Sequence, residues 1–450
     1  MTDVPQEPPY DRSMTGKRRR PWLLAVLAAA AFTTLAASAC TSGDASEAVT
    51  RTTVSSATPD VEIPPGAETL PGTLLIRDER GNLVTVRPDG TDRLTLAAAS
   101  PGRLQVSQAA WSPDGSRVAW AQRDQRDGSV VTRVVTSAPG GGERTEAEVP
   151  FLPFYLSWDP TSSHVAYLGN QGDGVGFGVV EHATGSVPSA VSLDQGQPYY
   201  FSWGPGGDRL LIHEGDDRLE EIALDGATVV VDGRPGVFQA PVWTPDGRTQ
   251  LFVRRGAGLR QTIVALHRGR GRMRDLAGIE GAGFMTLSPD GDTVAYQALG
   301  PEELDLYDRE LPARAEDVGV TVLDLATGRA ERVSTEIAAA WYWSPDGSRL
   351  AVLEPVYDGD GPILFRWRLW DGDGTEVGPT FTASLSLLQE TTPFFSQYAQ
   401  SWSMWSPDGK AFAFPLDLPG APDTIVVQPV DAGVPAYAVG RGSFVAWSPV

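Results

Sequence analysis

A short phrase, Trp-Ser-Pro-Asp-Gly, recurs along the chain and constrains its fold more than any other feature. Intact copies stand at residues 111–115, 343–347 and 405–409, and looser copies lie between them. Successive copies are separated by 40 to 62 residues, which indicates one supersecondary unit repeated many times. The first residue of each copy, replaced once by leucine, is found at Trp111, Trp158, Trp203, Trp243, Leu287, Trp343, Trp405 and Trp447.

The letters around each copy predict a strand, a tight turn and a second strand. Ser or Thr, then Pro, Asp and Gly suit the successive places of a turn in which the glycine takes a positive φ. Apolar residues follow seven and nine places after the Trp, with a small residue between them, as in Val118, Ala119 and Trp120. This alternation predicts a strand packed on both faces, although the unit of Trp243 departs from it with Gln250. A second hairpin later in the units, as at 220–231 and 321–334, makes four strands per unit.

Four-stranded units at this spacing predict an all-β fold, a β-propeller of four-stranded blades. Residues 72–97 contain the later strands of a unit, and residues 443–449 contain a first strand. We therefore expect the N- and C-terminal strands to meet in one blade, which removes both free sheet edges. Eight first strands predict eight blades, or seven if one of the longer units is irregular.

Residues 72–450 resemble the TolB-type branch of the WD-repeat-like propellers, in which this phrase opens each blade. The resemblance implies a non-catalytic binding or scaffold role through protein contacts in the cell envelope. It implies no cofactor, and the partner stays unidentified. Because propellers host many activities, a carbohydrate or small-ligand binder, or an enzyme using the propeller mouth, is the alternative.

The N-terminus has the pattern of an export signal. Residues 17–20 are basic, residues 21–39 are uncharged and largely apolar, and Cys40, the single cysteine, follows at once. The stretch resembles a bacterial lipoprotein signal, although Ala37 replaces the usual leucine. We expect a signal peptide at 1–39, lipidation of Cys40, a flexible tether at 40–70 and the propeller at 71–450. An uncleaved membrane anchor is the alternative, and Arg19-Arg20 leaves twin-arginine or general export open.

Composition and motifs narrow the chemistry. A net charge of −21 disfavours nucleic acid as a partner. The sequence has no Gly-x-Ser-x-Gly elbow, and its four histidines have no metal-ligand spacing, so we expect no enzymatic activity and no metal site. Two acidic runs could offer calcium ligands but lack the final glutamate of an EF-hand loop, which favours hairpin turns. Their acids are Asp358, Asp360, Asp371 and Asp373.

Two long insertions distinguish the chain from a plain repeat, at residues 298–319 and 381–403. Loops on a rigid scaffold commonly carry binding residues. The second insertion holds aromatic residues that could form an exposed interface patch or could pack inside the fold. They are Phe394, Phe395, Tyr398 and Trp402. We therefore expect a lipid-anchored protein on the extracytoplasmic face of the cell membrane that binds a protein partner.

Overall fold

The structure, a computed structural model, describes residues 63–450 except 127, 173, 183–189, 197–198, 215–217, 237–238, 258–259, 281, 301–318, 358–360, 394 and 432. Nearly all regular structure in the described residues is antiparallel β-sheet. Six sheets have four strands each, and their strands follow one another in chain order. This arrangement is consistent with the β-propeller that the repeat predicts.

A seventh sheet joins the two ends of the chain. Its strand order is β28-β29-β30-β31-β1-β2-β3. One half of β31 pairs with β30 and the other half pairs with β1, with Trp447 opposite Leu74. The meeting of the two chain ends in one sheet, predicted from the incomplete terminal units, is therefore confirmed. The strands are β1 (Leu74–Asp78), β2 (Leu83–Val86), β3 (Leu94–Ala97), β28 (Thr382–Ala383), β29 (Ala411–Leu418), β30 (Ala421–Pro429) and β31 (Tyr437–Trp447).

In the six four-stranded sheets, the first strand ends at the repeated Trp or Leu. The sheets comprise, in order, β4 (Leu104–Trp111), β5 (Val118–Arg126), β6 (Ser129–Ser137) and β7 (Thr145–Val149); β8 (Pro153–Trp158), β9 (His164–Gln171), β10 (Gly174–Glu181) and β11 (Ala190–Gly196); β12 (Tyr199–Trp203), β13 (Arg209–Glu214), β14 (Arg218–Ala223) and β15 (Thr228–Asp232); β16 (Val242–Trp243), β17 (Thr249–Arg255), β18 (Arg260–His267) and β19 (Arg272–Glu280); β20 (Ala282–Leu287), β21 (Thr293–Gly300), β22 (Val320–Asp324) and β23 (Ala330–Arg332); and β24 (Ala340–Trp343), β25 (Leu350–Val356), β26 (Leu364–Trp370) and β27 (Thr375–Val377).

The repeated phrase forms the same turn wherever it is intact. In the first copy, the Gly115 amide donates to Ser112 O at 2.9 Å, and Ser112 Oγ donates to Asp114 Oδ1 at 2.6 Å. Gly115 has φ +70°, a backbone conformation that residues with a Cβ rarely adopt. The aspartate is therefore a turn residue, as its position in the phrase predicts.

Several of the repeated tryptophans tie their sheet to the one before it. The Trp111 indole donates to Ala446 O at 3.3 Å, and the Trp158 indole donates to Ala110 O at 3.2 Å. Each acceptor immediately precedes the repeated Trp of the preceding sheet, and Trp203 and Trp405 follow the same rule. The indoles fill the gaps between sheets and also satisfy a backbone carbonyl.

Buried side chains pack every sheet against its neighbours. The small residue between the two apolar ones is fully buried, as in Ala119 and Ala166, which allows the close approach that the pattern predicts. One cluster joins Leu75 of β1 to Trp111 of β4, so the sheet containing the chain ends packs on the first four-stranded sheet. Another joins Trp341 of β24, in the last four-stranded sheet, to Phe412 of β29 in the sheet that contains the chain ends. Further clusters join the intervening pairs of neighbouring sheets. The sheets therefore follow one another around a closed ring.

The packed part of the chain begins before the predicted boundary at residue 71. A single 3-10 turn, Ala67–Thr69, precedes β1, and Ala67 is buried against the cluster that contains Ile76. Among the described residues, no helix is long and apolar enough to cross a membrane.

Candidate functional site

The expected interface aromatics lie partly outside the described residues and partly inside the protein. Cys40 and Phe394 are not among the residues described, and neither is the side chain of Tyr398. Phe395 is 3% exposed and Trp402 is 7% exposed. These two residues therefore do not form an exposed patch. They pack inside the protein, which is the second of the two arrangements that the sequence left open.

These two residues belong to what we call the axial segment, residues 384–403. It contains a π-helical turn, Leu387–Thr391, and a short helix, Phe395–Tyr398. The Phe395 ring packs on Trp341 of β24, with ring centroids 4.4 Å apart, and on Phe284 of β20, at 5.6 Å. Trp402 packs edge-on against Phe444 of β31 at 5.1 Å. Apolar burial against several first strands holds the segment in place.

Gln397 fixes the axial segment by pairing with backbone atoms of a distant strand. Its Nε2 donates to Phe201 O and its Oε1 accepts from Phe201 N, both at 2.8 Å. Its Nε2 also lies 3.0 Å from the hydroxyl of Tyr155, which donates to the Gln397 carbonyl at 3.0 Å. The side chain thus completes the hydrogen bonding of a buried strand, which would otherwise leave polar groups unsatisfied.

The contacts of the axial segment place it at the centre of the ring. Its residues touch the first strands of four sheets, β8, β12, β20 and β24. Glu390 adds an ion pair with Arg77 of β1, and Thr391 O accepts from the Tyr342 hydroxyl at 3.3 Å. A segment this short reaches all these strands only where they converge, on the ring axis. The sequence missed Gln397, because its partners are not near it in the chain.

Asp371 and His182, from the acidic runs and the histidines noted in the sequence, form hydrogen bonds that stabilise the fold. Asp371 Oδ1 accepts from the amides of Asp373 and Gly374 at 3.1 and 3.0 Å, and these two bonds lower the pKa of Asp371. This is a hairpin turn, the arrangement that the sequence favours; Asp358 and Asp360 lie outside the described residues. His182 lies between two threonine hydroxyls, and burial lowers its pKa. The described residues contain no group of three acids, histidines or cysteines that could hold a metal.

A buried carboxylate, Glu354 of β25, marks a second polar cluster. It accepts from Ser334 Oγ at 2.7 Å, Arg366 Nε at 2.9 Å and Arg368 Nε at 2.6 Å. Burial opposes its charge, but the hydrogen bonds from these residues outweigh burial and lower its pKa. The carboxylate is held as an anion by three donors, so this cluster ties β25 to β26 and stabilises the fold.

An open cleft lies between β3 and the sheet β4–β7. We call it the open junction. It is a cleft of about 490 Å³, within the usual range of ligand sites. One wall is aliphatic, with Leu96, Ala97, Ala98 and Leu104. The other wall is polar and comes from β5, β6 and β7. Its members are Gln122, Asp124, Arg126, Ser129, Val131, Arg133, Arg144 and Glu146.

The charges of the open junction are paired within one sheet. Arg144 Nε donates to Glu146 at 2.9 Å, and Arg133 lies 3.4 Å from the same carboxylate. Arg144 also donates to Gln122 at 3.0 Å and stacks over the Trp120 ring, 5.0 Å from its centroid. Glu146 is 40% exposed. One solvated carboxylate therefore serves two guanidinium groups, while Asp124, also in the cleft wall, pairs with Arg126 at 2.8 Å.

A similar set of side chains meets between the sheets β12–β15 and β16–β19, which we call the closed junction. Arg268 stacks over the Trp243 ring, 4.9 Å from its centroid. Its Nε and NH2 both donate to Glu221 at 2.7 Å, the bidentate geometry of a strong ion pair. Gln250 adds a bond at 2.8 Å and Arg209 one at 3.4 Å. The Glu221 side chain is 11% exposed.

No protein-family model matches the chain, and no curated protein matches it. Similar solved structures include TolB from Acinetobacter baumannii, 14% identical, covering 74% of this chain and 83% of that chain with a TM-score of 0.39. Oligogalacturonate lyase from Vibrio parahaemolyticus is 12% identical, with 76% and 87% covered and a TM-score of 0.43. The periplasmic gluconolactonase of Pseudomonas aeruginosa is 16% identical, with 69% and 95% covered and a TM-score of 0.42.

These neighbours correct one expectation. The sequence motifs led us to expect that the chain is not an enzyme. That exclusion is wrong, because the solved structures with similar sheets include a lyase and a gluconolactonase. Lack of a Gly-x-Ser-x-Gly motif excludes one hydrolase mechanism and leaves others open. At identities of 12 to 16%, none of these neighbours assigns an activity to this chain.

Proposed function

We propose that the chain is a lipoprotein of the cell envelope, held at the extracytoplasmic face of the membrane by a lipid on Cys40, and that its ring binds a protein partner there. The proposal rests on the basic and apolar stretch that ends in the single cysteine. In this proposal residues 1–39 are removed and the residues after Cys40 are the tether.

We further propose that the ring is a propeller of eight blades. Support comes from the pairing of β31, which runs along β30 with one half and along β1 with the other. The seven-stranded sheet is then two blades joined by one continuous strand. The six other sheets supply the remaining blades, and the repeated residues open all eight.

The observation that carries a surface-binding role is the filled ring axis. Phe395 and Gln397 of the axial segment contact strands of four sheets, so a partner or ligand meets the faces and the junctions between blades. Binding at the propeller mouth would require the axial segment to leave its place and Gln397 to lose its bonds to Phe201. A second candidate function, binding of a small ligand, is favoured at the open junction by its cleft.

The anchor is tested by Cys40→Ala. We expect the variant to lack the lipid-dependent mass increase and to be released from the membrane or retained as an unprocessed precursor. Cell fractionation with intact-mass analysis measures both outcomes, and Ser46→Ala, in the proposed tether after the cysteine, is the matched control in which we expect lipidation to be kept. A variant with wild-type mass and wild-type membrane retention would refute the lipid anchor.

The partner is tested by crosslinking the full chain in its native envelope, followed by mass spectrometry. The control is an unrelated protein fused to residues 1–62 of this chain. We expect the full chain to crosslink to a partner protein that the control does not recover. Recovery of the same proteins with both chains would count against a partner of the ring.

A further inference from the structure

The open junction has the construction of a ligand site. Its two walls differ in chemistry, because Leu96 and Leu104 face a wall that carries Arg133, Arg144 and Glu146. A ligand that fills this cleft therefore meets aliphatic carbons on one side and, on the other, three guanidinium groups together with the carboxylates of Asp124 and Glu146. This site shares no residue with the axial segment and is independent of the proposed anchor and partner.

The guanidinium groups of the polar wall have hydrogen-bonding capacity left over. Each guanidinium carries five N–H donors, and Arg133 and Arg144 share the single carboxylate of Glu146. Arg133 lies 3.4 Å from Glu146, and Glu148 stands opposite it on β7. In the closed junction, by contrast, Glu221 holds Arg268 through two bonds of 2.7 Å. The open junction therefore offers donors to an incoming anion.

The surroundings strengthen this preference. The chain carries a net charge of −21, so an anion is repelled from most of its surface and is attracted where arginines cluster. Stacking on Trp120 holds the Arg144 guanidinium in one plane, and a fixed fork of donors matches the two oxygens of a carboxylate.

We propose that the open junction binds a small organic carboxylate, with its carboxylate on Arg133 and Arg144 and its apolar body against Leu96 and Leu104. A simple inorganic anion would use the arginines alone and leave the aliphatic wall uncovered. A neutral apolar molecule would leave the arginine donors unused. The volume of about 490 Å³ accommodates a ligand of one or two rings, or a short acyl chain, with water around it.

The probes are benzoate, the neutral benzamide of the same shape, and inorganic phosphate. Binding to the full chain in detergent is followed by saturation-transfer NMR for the organic probes and by phosphorus NMR for phosphate, with detergent alone as the blank. We expect benzoate to bind at least about tenfold more tightly than benzamide, because a hydrogen bond to a charged group contributes about 1.5 kcal/mol or more. We expect phosphate to bind more weakly than benzoate.

Two substitutions in the site move benzoate affinity in opposite directions. Arg133→Gln removes a donor and weakens binding by roughly tenfold. Glu146→Gln removes the competing carboxylate, frees both arginines and tightens binding by roughly threefold or more. A merely structural role for Glu146 predicts no gain. The matched control is Arg123→Gln, since successive residues of β5 point to opposite faces and Arg123 is absent from the cleft wall.

Several results would overturn the proposal. Equal binding of benzoate and benzamide would show that the aliphatic wall alone binds, and phosphate binding as tightly as benzoate would show an inorganic-anion site. If benzoate does not bind saturably, or if its affinity is unchanged in both Arg133→Gln and Glu146→Gln, the cleft does not bind organic carboxylates.

Discussion

The open junction and the closed junction use the same kinds of side chain but pair their charges differently. Each has an arginine stacked on a tryptophan ring, Arg144 on Trp120 and Arg268 on Trp243, together with a glutamine and a carboxylate. The difference is where the carboxylate comes from. Glu146 lies on β7, in the same sheet as its arginines, so its ion pairs run within that sheet.

Glu221, in the closed junction, lies on β14, whereas Arg268 and Gln250 belong to the next sheet. Its hydrogen bonds therefore cross from one sheet to the other and hold them together. Charge pairs stabilise a junction only when the two partners belong to opposite sides. Where both belong to one side, as in the pairs of Glu146 with Arg133 and Arg144, the ion pairs leave the cleft uncrossed.

The largest effect is expected from Glu221→Gln. It leaves Arg268, Arg209 and Gln250 without their shared carboxylate, and we expect a loss of about 2–3 kcal/mol in the free energy of unfolding. The matched Glu146→Gln should lose less than about 1 kcal/mol, since its carboxylate is solvated. Urea denaturation followed by tryptophan fluorescence measures both. Equal losses would contradict the contrast between a bridged and an unbridged junction.

Glycine substitutions in the turns at the two junctions come next. Gly115 and Gly247 have φ +70° and +68°, so Gly115→Val and Gly247→Val should each cost about 1–2 kcal/mol through backbone strain. An added side chain at Gly115 also overlaps Val450, whereas at Gly247 the nearest atom is Pro205 at 3.6 Å. Gly115→Val should therefore lose slightly more.

Urea midpoints, with benzoate affinity as a second readout, test this pair. Gly140→Val is the control, because Gly140 lacks a positive φ and has open space around its Cβ position. We expect benzoate affinity to be unchanged in all three variants. A Gly140→Val loss as large as the other two would show that backbone strain is not the cause.

A smaller difference is expected between Trp111→Phe and Trp243→Phe. Both indoles are buried, but Trp111 Nε1 donates across the open junction to Ala446 O at 3.3 Å, whereas Trp243 Nε1 has no partner among the described residues. Trp111→Phe should therefore lose about 1 kcal/mol more in unfolding free energy. A larger loss for Trp243→Phe would contradict the role of the indole bond.

The smallest effect concerns acid stability. Burial opposes the charge of Asp114, but hydrogen bonds from Ser112 and Ser116 outweigh burial and lower its pKa; in Asp246 the Thr244 hydroxyl is the largest cause of a lowered pKa. A lowered folded-state pKa contributes stability above the ordinary value of about 3.9 that is lost as the pH falls through the folded value. Asp114→Asn and Asp246→Asn should each flatten the fall of the urea midpoint below about pH 4. An unchanged pH profile in the double variant would refute this.

The periodic part of the fold was predictable because its signals are local. The residues that specify a strand, a turn and a second strand lie within about a dozen positions, as from Trp111 to Trp120. The hydrogen bond in this turn, from Ser112 to Asp114, joins residues two positions apart. Even the pairing of β31 with β1 followed from the incomplete units at the two ends, because a ring leaves no other place for them.

The axial segment and the open junction were not predictable in the same way. Gln397 and Phe201 are 196 residues apart, and nothing in the letters 381–403 shows which strands they meet. Aromatic residues are suited both to an interface and to a core. The composition of the insertion therefore did not show whether its aromatic residues are buried or exposed. The sequence likewise placed Glu221 in the predicted hairpin at 220–231 without showing that its carboxylate bridges two sheets, and it gave no sign that Glu146 pairs within its own sheet.

The amino-acid sequence by itself determined the strands, the corner turns, the repeat and the closure of the ring, because backbone preferences and alternating burial act over a few residues. Only the tertiary structure decided what fills the axis and which junction is bridged by a carboxylate. Those outcomes depend on the directions of side chains from separate sheets, and the ring geometry, absent from any local stretch of sequence, brings them together.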